Sequence, residues 1–369
     1  MPSFGILRFA SLSCVAMLAG SVPSPITSAP SIQQVATLRA ARAAHTMTVL
    51  PSGQVLVAGG MADGGVGLAS AELFDPLRNA LQPLPDMAVH RIDHTATLLR
   101  DGRVLVAGGY NGEYLASLEI YDPVMRRFQP AGSLTEQRSG HTATLLADGQ
   151  VLFVGGVGRG WTFLRSAEVY DPVTGRSERV GPLSVPRESH TATLLEDGRV
   201  LITGGHAGRR QNMEVYASAE VFSPGPRRFE PAGTLVTARH KHDAIRFTDG
   251  RVLIIGGADR TDRTYYTTTE IYDPRTARFD RGPSMAHRRY KIAGTSVLLP
   301  DGNVLVTSGA TTAEILDIAS GTFREVPGRL TDAYRFAAAA PLRGGDVLIS
   351  GGYSDANHNT AGVWRFRQE

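Results

Sequence analysis

The chain has 369 residues, enough to bury a sizeable core, and its 38 basic and 35 acidic residues leave a formal charge of only +3. The signs are interleaved, and the pI near 9.1 reflects scattered arginine rather than a basic stripe, so nucleic-acid and membrane-surface binding are not expected. The 41 glycines and 21 prolines punctuate short apolar runs throughout, which points to an all-β chain with many turns and excludes a disordered one.

Residues 1–21 read as a signal peptide. Arg8 supplies the positive charge, Phe9 to Gly20 the apolar stretch, and Ala19 and Ser21 the small residues that suit cleavage after Ser21. The stretch is too short to span a bilayer, which takes roughly 20 residues. No later segment is long enough either, so no membrane span is expected. An uncleaved N-terminal anchor is the alternative. Cys14, the only cysteine, falls inside this leader, and Ser11 stands where a lipid-attachment motif wants Leu. A mature chain without cysteine excludes disulfides, thiolate nucleophiles and Cys-ligated metals. Residues 22–31 read as a short linker, and the expected location is the periplasm or the cell exterior.

The remainder, 32–369, is one unit repeated. A double glycine closes an apolar run at Gly59-Gly60, Gly108-Gly109, Gly155-Gly156, Gly204-Gly205, Gly256-Gly257 and Gly351-Gly352, with Ser308-Gly309 as a degenerate copy. The copies lie about 50 residues apart, the period of propeller-type repeats. In the second copy, His94-Thr-Ala-Thr-Leu-Leu predicts a strand, and Asp101-Gly102 a tight hairpin turn whose two residues take positive φ. Val104-Leu-Val-Ala predicts a return strand buried on both faces. Glu119-Ile-Tyr predicts a third strand, Asp122-Pro123 a turn, and Phe128 to Leu134 a fourth strand. Four antiparallel strands in such a span make one blade of a β-propeller.

The double glycines, the Glu-x-Tyr-Asp-Pro phrase and the Arg-x-x-His opening resemble the Kelch-repeat family over essentially all of 32–369. The resemblance implies an all-β, seven-bladed propeller. One departure is visible: the family's fourth-strand Trp is replaced by Leu81, Phe128, Ser177, Phe229, Phe279 and Phe323. The last copy stops at its third strand, Val363–Phe366, and the missing fourth is assigned to Ile32–Leu38 at the other end of the chain. That pairing closes the ring and leaves no free edge, so a monomer is expected.

Strand parity places the loops that come after the double glycines on the same face as the inter-blade loops. The inter-blade loops carry Arg42, Arg91, Arg138, Arg187, Arg239 and Lys291 at positions taken as equivalent, with Arg335 nearby in the last blade. A third-strand Glu recurs at 72, 119, 168, 220, 270 and 314, so an Arg–Glu bond serving each blade is the preferred reading of the ring. Function is expected where the repeats disagree. The ligand-binding candidates are therefore Arg159, Trp161, Arg209, Arg210, Arg260 and Tyr265, because arginine forks grip anionic groups and aromatic faces stack on flat ones. His45, His94, His141, His190 and His242 recur once per blade, too far apart to converge on one ion. His206, His240 and His242 form the residual candidate cluster. No cofactor and no metal are expected.

Secreted galactose oxidase uses a Kelch-type propeller, with copper and a Cys–Tyr cross-link carrying its chemistry. With its single cysteine in the leader, this chain resembles that enzyme in scaffold and not in copper site. The leading expectation is an exported, non-catalytic binding module that presents its variable-loop face to a protein or glycan. The alternative is a carbohydrate-active enzyme of epimerase or oxidase kind, with Asp259, Asp262 and Glu113 as the carboxylates in the relevant loops.

Overall fold

The structure, a computed structural model, describes residues 30–368. The signal peptide with Cys14, its cleavage point and nearly all of the 22–31 linker lie outside the described residues. No described helix is long and apolar enough to cross a membrane.

Seven four-stranded antiparallel sheets form a ring, and each is a blade. Blade 2 shows the pattern: Thr95–Leu98, Val104–Ala107, Ser117–Asp122 and Arg127–Ser133 pair in chain order. Blades 1 and 3 to 6 begin with Thr46–Val49, Thr142–Leu145, Thr191–Leu194, Asp243–Arg246 and Ser296–Leu298. Blade 7 takes three strands from Ala338–Pro341, Val347–Ser350 and Gly362–Arg367. Its fourth comes from the other end of the chain: Ser31–Thr37 pairs antiparallel with Gly362–Arg367, with Ile32 opposite Phe366. The ring is closed as the repeat count requires.

The apolar second strands are buried at every residue because both of their faces meet neighbouring blades. Seven hydrophobic clusters result, each straddling two adjacent blades. One of them joins Leu348 and Val363 of blade 7 to Val55 and Phe74 of blade 1. The residues replacing the family's Trp sit in equivalent register, and Phe128, Phe229 and Phe279 pack on Tyr121, Phe222 and Tyr272 with ring centroids 5.1, 5.0 and 4.7 Å apart.

The first hairpin turn departs from expectation. Only the glycine of Asp101-Gly102 has positive φ (85°); Asp101 instead accepts the backbone N–H of Arg103 at 3.0 Å through its carboxylate. Asp148, Asp197, Asp249 and Asp301 repeat this cap. The turn thus has one left-handed residue, where a two-residue type I′ loop needs two.

Among the described residues six arginines are fully buried: Arg42, Arg91, Arg138, Arg187, Arg239 and Arg289. Each pairs with the third-strand glutamate of its own blade, at 2.7 to 3.5 Å. The sixth member is Arg289 and not Lys291. Ile292 replaces the histidine of Arg-x-x-His there, so the sequence phrase that fixes the alignment is lost. In blade 4 the Arg187 guanidinium also donates to the carbonyls of Gly204 (2.7 Å) and Ser218 (3.1 Å). Glu220 in turn accepts the N–H of Ser184 at 2.9 Å. Each pair therefore straps the incoming loop to the double glycine and the third strand. Blade 7 lacks the strap: Tyr334 stands at the arginine position and Trp364 at the glutamate position, with ring centroids 5.4 Å apart in an apolar cluster.

The recurrent histidines are staples between blades. Nε2 of His45, His94, His141, His190 and His242 meets a hydroxyl of the preceding blade, on Ser350, Thr46, Thr95, Thr142 and Thr191, at 2.8 to 3.2 Å. Their packing explains the double glycine. A Cβ on Gly108 (φ 60°) would lie 2.5 Å from the Arg138 carbonyl oxygen and 2.8 Å from the His141 ring, so a side chain has neither the space nor the backbone conformation there.

Removing one partner of a buried pair strands the other charge and costs about 3–5 kcal/mol, whereas replacing both with apolar residues is often neutral. Arg187→Met is accordingly expected to lower stability by that amount in urea unfolding, and adding Glu220→Met to recover most of it. A double variant no more stable than the single one would show that the strap holds the loop by its hydrogen bonds alone.

Candidate functional site

The strap sets the geometry of the next few residues of the loop. Two residues after each arginine, or after Tyr334 in blade 7, the chain enters the left-handed region: Ala44 (50°), Asp93 (50°), Gly140 (61°), Ser189 (55°), Lys241 (55°), Lys291 (57°) and Phe336 (50°). For residues other than glycine this conformation costs on the order of 1–3 kcal/mol and persists only where the surroundings impose it. Backbone hydrogen bonds passed from blade to blade offset part of that cost. Ala44 N–H donates to Phe336 O (2.9 Å), Phe336 to Lys291 (2.9 Å), Lys291 to Lys241 (2.8 Å), Lys241 to Ser189 (3.0 Å) and Gly140 to Asp93 (3.0 Å). All seven residues line one axial cavity of about 210 Å³.

At this ring the blades disagree in residue type. Blades 2 and 4 bring Asp93 and Glu188, and blades 5 and 6 bring Lys241 and Lys291, so an acidic side and a basic side share the cavity. Gly140, between the two acids, makes room: a Cβ there would lie 2.7 Å from Glu188 Oε1. Burial raises the Glu188 carboxyl to about 7, with the nearby Asp93 charge adding to the shift, and burial raises Asp93 to about 6, opposed by Lys291. A second cavity of about 440 Å³ shares Ala44, Asp93 and Phe336 with the first and extends it toward Asp63 and Asn359.

The two lysines are held differently. Lys241 Nζ donates to Asp262 at 2.6 Å. Lys291 Nζ donates to the Tyr353 hydroxyl and lies 5.2 to 5.4 Å from the ring centroids of Tyr290, Phe336 and Tyr353. Burial holds the Lys291 amine below the ordinary lysine range; Asp262 opposes the shift and Arg335 adds to it. Behind Lys241 runs a buried polar chain: Glu188 Oε2 lies 3.6 Å from His206 Nε2, His206 Nδ1 3.2 Å from His240 Nδ1, and His240 Nε2 3.2 Å from Asp262. Burial pushes His206 down to about 3. His242 takes no part, since it is turned to Thr191 and Thr203.

The expected loop faces do coincide: the residue after each double glycine bridges an inter-blade loop, as in Tyr110 with Ile92, His206 with Glu188 and Tyr353 with Arg335. The six ligand-binding candidates fall into three places around the cavity. Arg209 lies over the indole of Trp161, 3.2 Å from the ring centroid, with Trp161 half exposed (51%) and edge-on to Tyr114; Arg159 is exposed at the start of the same turn. Arg210 and Arg260 line a separate surface cavity of about 560 Å³. Tyr265 stacks on Tyr290 at 3.7 Å, beneath Arg335. Of the carboxylates named in the loops, Asp262 reaches the cavity's lysine, whereas Asp259 caps its own loop through Thr261 and Thr264. The acids of the cavity itself, Asp93 and Glu188, occupy the two variable positions of Arg-x-x-His. That is where the sequence signal lies: Ala-Ala, Ile-Asp, Ser-Gly, Glu-Ser, His-Lys, Tyr-Lys and Arg-Phe in the seven copies.

The fold and its repeated straps define a seven-bladed β-propeller. The Kelch motif is matched in it at residues 94–135, 138–184 and 244–286. No curated protein matches the chain by sequence. Among solved structures it is similar to a fungal alcohol oxidase of the AA5 family, in complex with copper, at 16% identity and a TM-score of 0.72, over 91% of this chain and 75% of that one. At that identity the likeness is one of fold. The described residues contain no cysteine and no group of three or more His, Cys, Asp and Glu placed to hold a metal ion.

Carbon-13 NMR of the carboxyl groups is expected to show Glu188 titrating near 7 and Asp93 near 6. Because the Asp93 charge is one of the causes that raise Glu188, Asp93→Asn should lower the Glu188 midpoint. A midpoint that stays put would mean the two acids do not share the cavity.

Proposed function

We propose that the chain is an exported Kelch-type binding module that holds a glycan on its variable-loop face, with the axial cavity at the centre of the site. The observation that carries this reading is the divergence of the residues facing the axis. The scaffold residues repeat almost without change, while the positions lining the cavity hold two acids and two lysines that no blade needs for its own packing. Around them stand aromatic platforms of the sort that stack on sugar rings: Trp161 under Arg209, and the Tyr265–Tyr290 pair beneath Arg335. The axial and adjoining cavities, about 210 and 440 Å³, suit a terminal sugar residue and its neighbour. Export rests on the N-terminal leader read from the sequence.

A carbohydrate-active enzyme is the second reading, favoured by one observation. Asp93 and Glu188 are carboxyls raised toward neutrality in the same cavity as a lysine whose amine is pushed down, and such perturbed groups gather at catalytic sites.

A glycan array probed with the full chain tests both. Binding is expected, and Trp161→Ala and Lys241→Met are each expected to weaken it about tenfold or more while leaving the thermal midpoint nearly unchanged, because both side chains lie outside the blade cores. Equal losses of binding and of folded protein would overturn the placement of the site. Conversion of a bound sugar, abolished by Glu188→Gln, would establish the enzymatic reading.

A further inference from the structure

Of the 38 basic residues besides histidine, 36 are arginine and only two are lysine, and those two stand at the same ring position in adjacent blades. Every other cationic task, from buried straps to surface pairs, is performed by arginine. Where charge alone is needed, arginine serves at least as well. What lysine offers and arginine does not is a lone pair, since a guanidinium is never deprotonated in a protein. The lysines are also placed at a backbone cost, in left-handed conformations that glycine fills without strain at position 140.

The two amines differ in what surrounds them. Lys241 is fixed by the Asp262 carboxylate as an ion pair. Lys291 has no ion-pair partner among the described residues; it is held by the Tyr353 hydroxyl and walled by three aromatic rings. A half-buried amine with apolar walls and a second cation near it matches the environment that makes a lysine nucleophilic. Across the cavity stand Asp93 and Glu188, the acids able to give and take the protons that amine addition requires.

We propose that Lys291 captures a carbonyl ligand, an aldehyde such as the open-chain form of a reducing sugar, as a reversible imine, with Arg335, which lies over the same Tyr290 ring, as the neighbouring cation. This rests on the axial cavity being the ligand site. The Lys291 nitrogen lone pair forms the C–N bond while the carbonyl π pair moves to oxygen. One nitrogen proton passes to that oxygen by way of the cavity carboxylates, giving a carbinolamine. A second proton, from the Asp93 or Glu188 carboxyl, lets the hydroxyl leave as water, and the remaining lone pair closes the protonated C=N bond. One amine, one aldehyde and one carboxylic acid thus become one iminium, one carboxylate and one water, with nothing oxidised or reduced. Hydrolysis reverses each step.

The test is reductive trapping of the full-length chain with glyceraldehyde and sodium cyanoborohydride at neutral pH, followed by peptide mapping. With two lysines in the sequence, the adducts are assigned without ambiguity. Lys291 is expected to label several-fold faster than Lys241 and than N-acetyl-lysine amide, the advantage of an amine that burial holds below the ordinary lysine range. Lys291→Arg should abolish the fast adduct without shifting the thermal midpoint. Labelling of Lys291 no faster than Lys241 or the free amine overturns the proposal. Glycan-array binding, run in parallel, separates this from the reading it rests on. Array binding with ordinary labelling overturns the imine alone, and fast labelling without array binding supports the amine chemistry and removes the glycan reading.

Discussion

Everything on the functional face depends on the buried strap between an inter-blade arginine and a third-strand glutamate. Six blades hold it, and in each the guanidinium is withdrawn from solvent, its charge matched by the glutamate while Nη1 donates to backbone carbonyl oxygen. The strap fixes the loop that enters the blade, and the fixed loop forces the residue two places on into a left-handed conformation at the axis. A repeated, costly arrangement thereby produces seven equivalent positions whose side chains are free to vary. Blade 7 shows that the scaffold requires the restraint and not the charge. Tyr334 and Trp364 replace the ion pair with an aromatic contact, and Phe336 still takes its place in the ring at φ 50°. It is also the blade assembled from both ends of the chain, where apolar packing supports the closing strand.

Two polar systems of opposite purpose therefore lie within a few residues of each other. Arginine, glutamate and the stapling histidines keep one role from blade to blade and are buried in the scaffold. The ring residues and Glu188 line the axial cavity, and the chain from Glu188 through His206 and His240 to Asp262 runs behind Lys241. Raised carboxyls and a lowered amine are consequences of that placement. Half-burial in a cavity walled by neutral rings and backbone disfavours charge, and the opposing charges are too few to restore it.

The repeat makes most of the fold legible in the sequence. Double glycines, fully apolar second strands and the terminal Ile32–Leu38 segment each have a physical reading that the structure bears out, as does the assignment of the recurrent arginines to blade architecture. The site is harder to read for the same reason. Its chemistry sits in the two variable positions of Arg-x-x-His, inside the most repetitive phrase of the chain, while the longer and more varied loops carry the conspicuous arginines and aromatics. Lys291 in particular is masked. Ile292 removes the histidine that marks the phrase, so the lysine aligns with the arginines and reads as scaffold. Which face the loops share can be derived from strand parity, whereas the depth of Asp93 in the cavity comes from a left-handed backbone that its residue type does not announce.

The division between scaffold and site is the central claim, and two residues in one loop test it directly. Thermal midpoint and glycan-array affinity per folded molecule should be measured in parallel for Arg239→Lys and Lys241→Arg, changes that preserve charge two positions apart. The predicted result is a crossed one. The first lowers the midpoint and leaves affinity intact, because a lysine cannot reproduce the forked strap; the second leaves the midpoint and lowers affinity. If both variants lose stability and affinity together, the ring is part of the scaffold and the site lies elsewhere on the face.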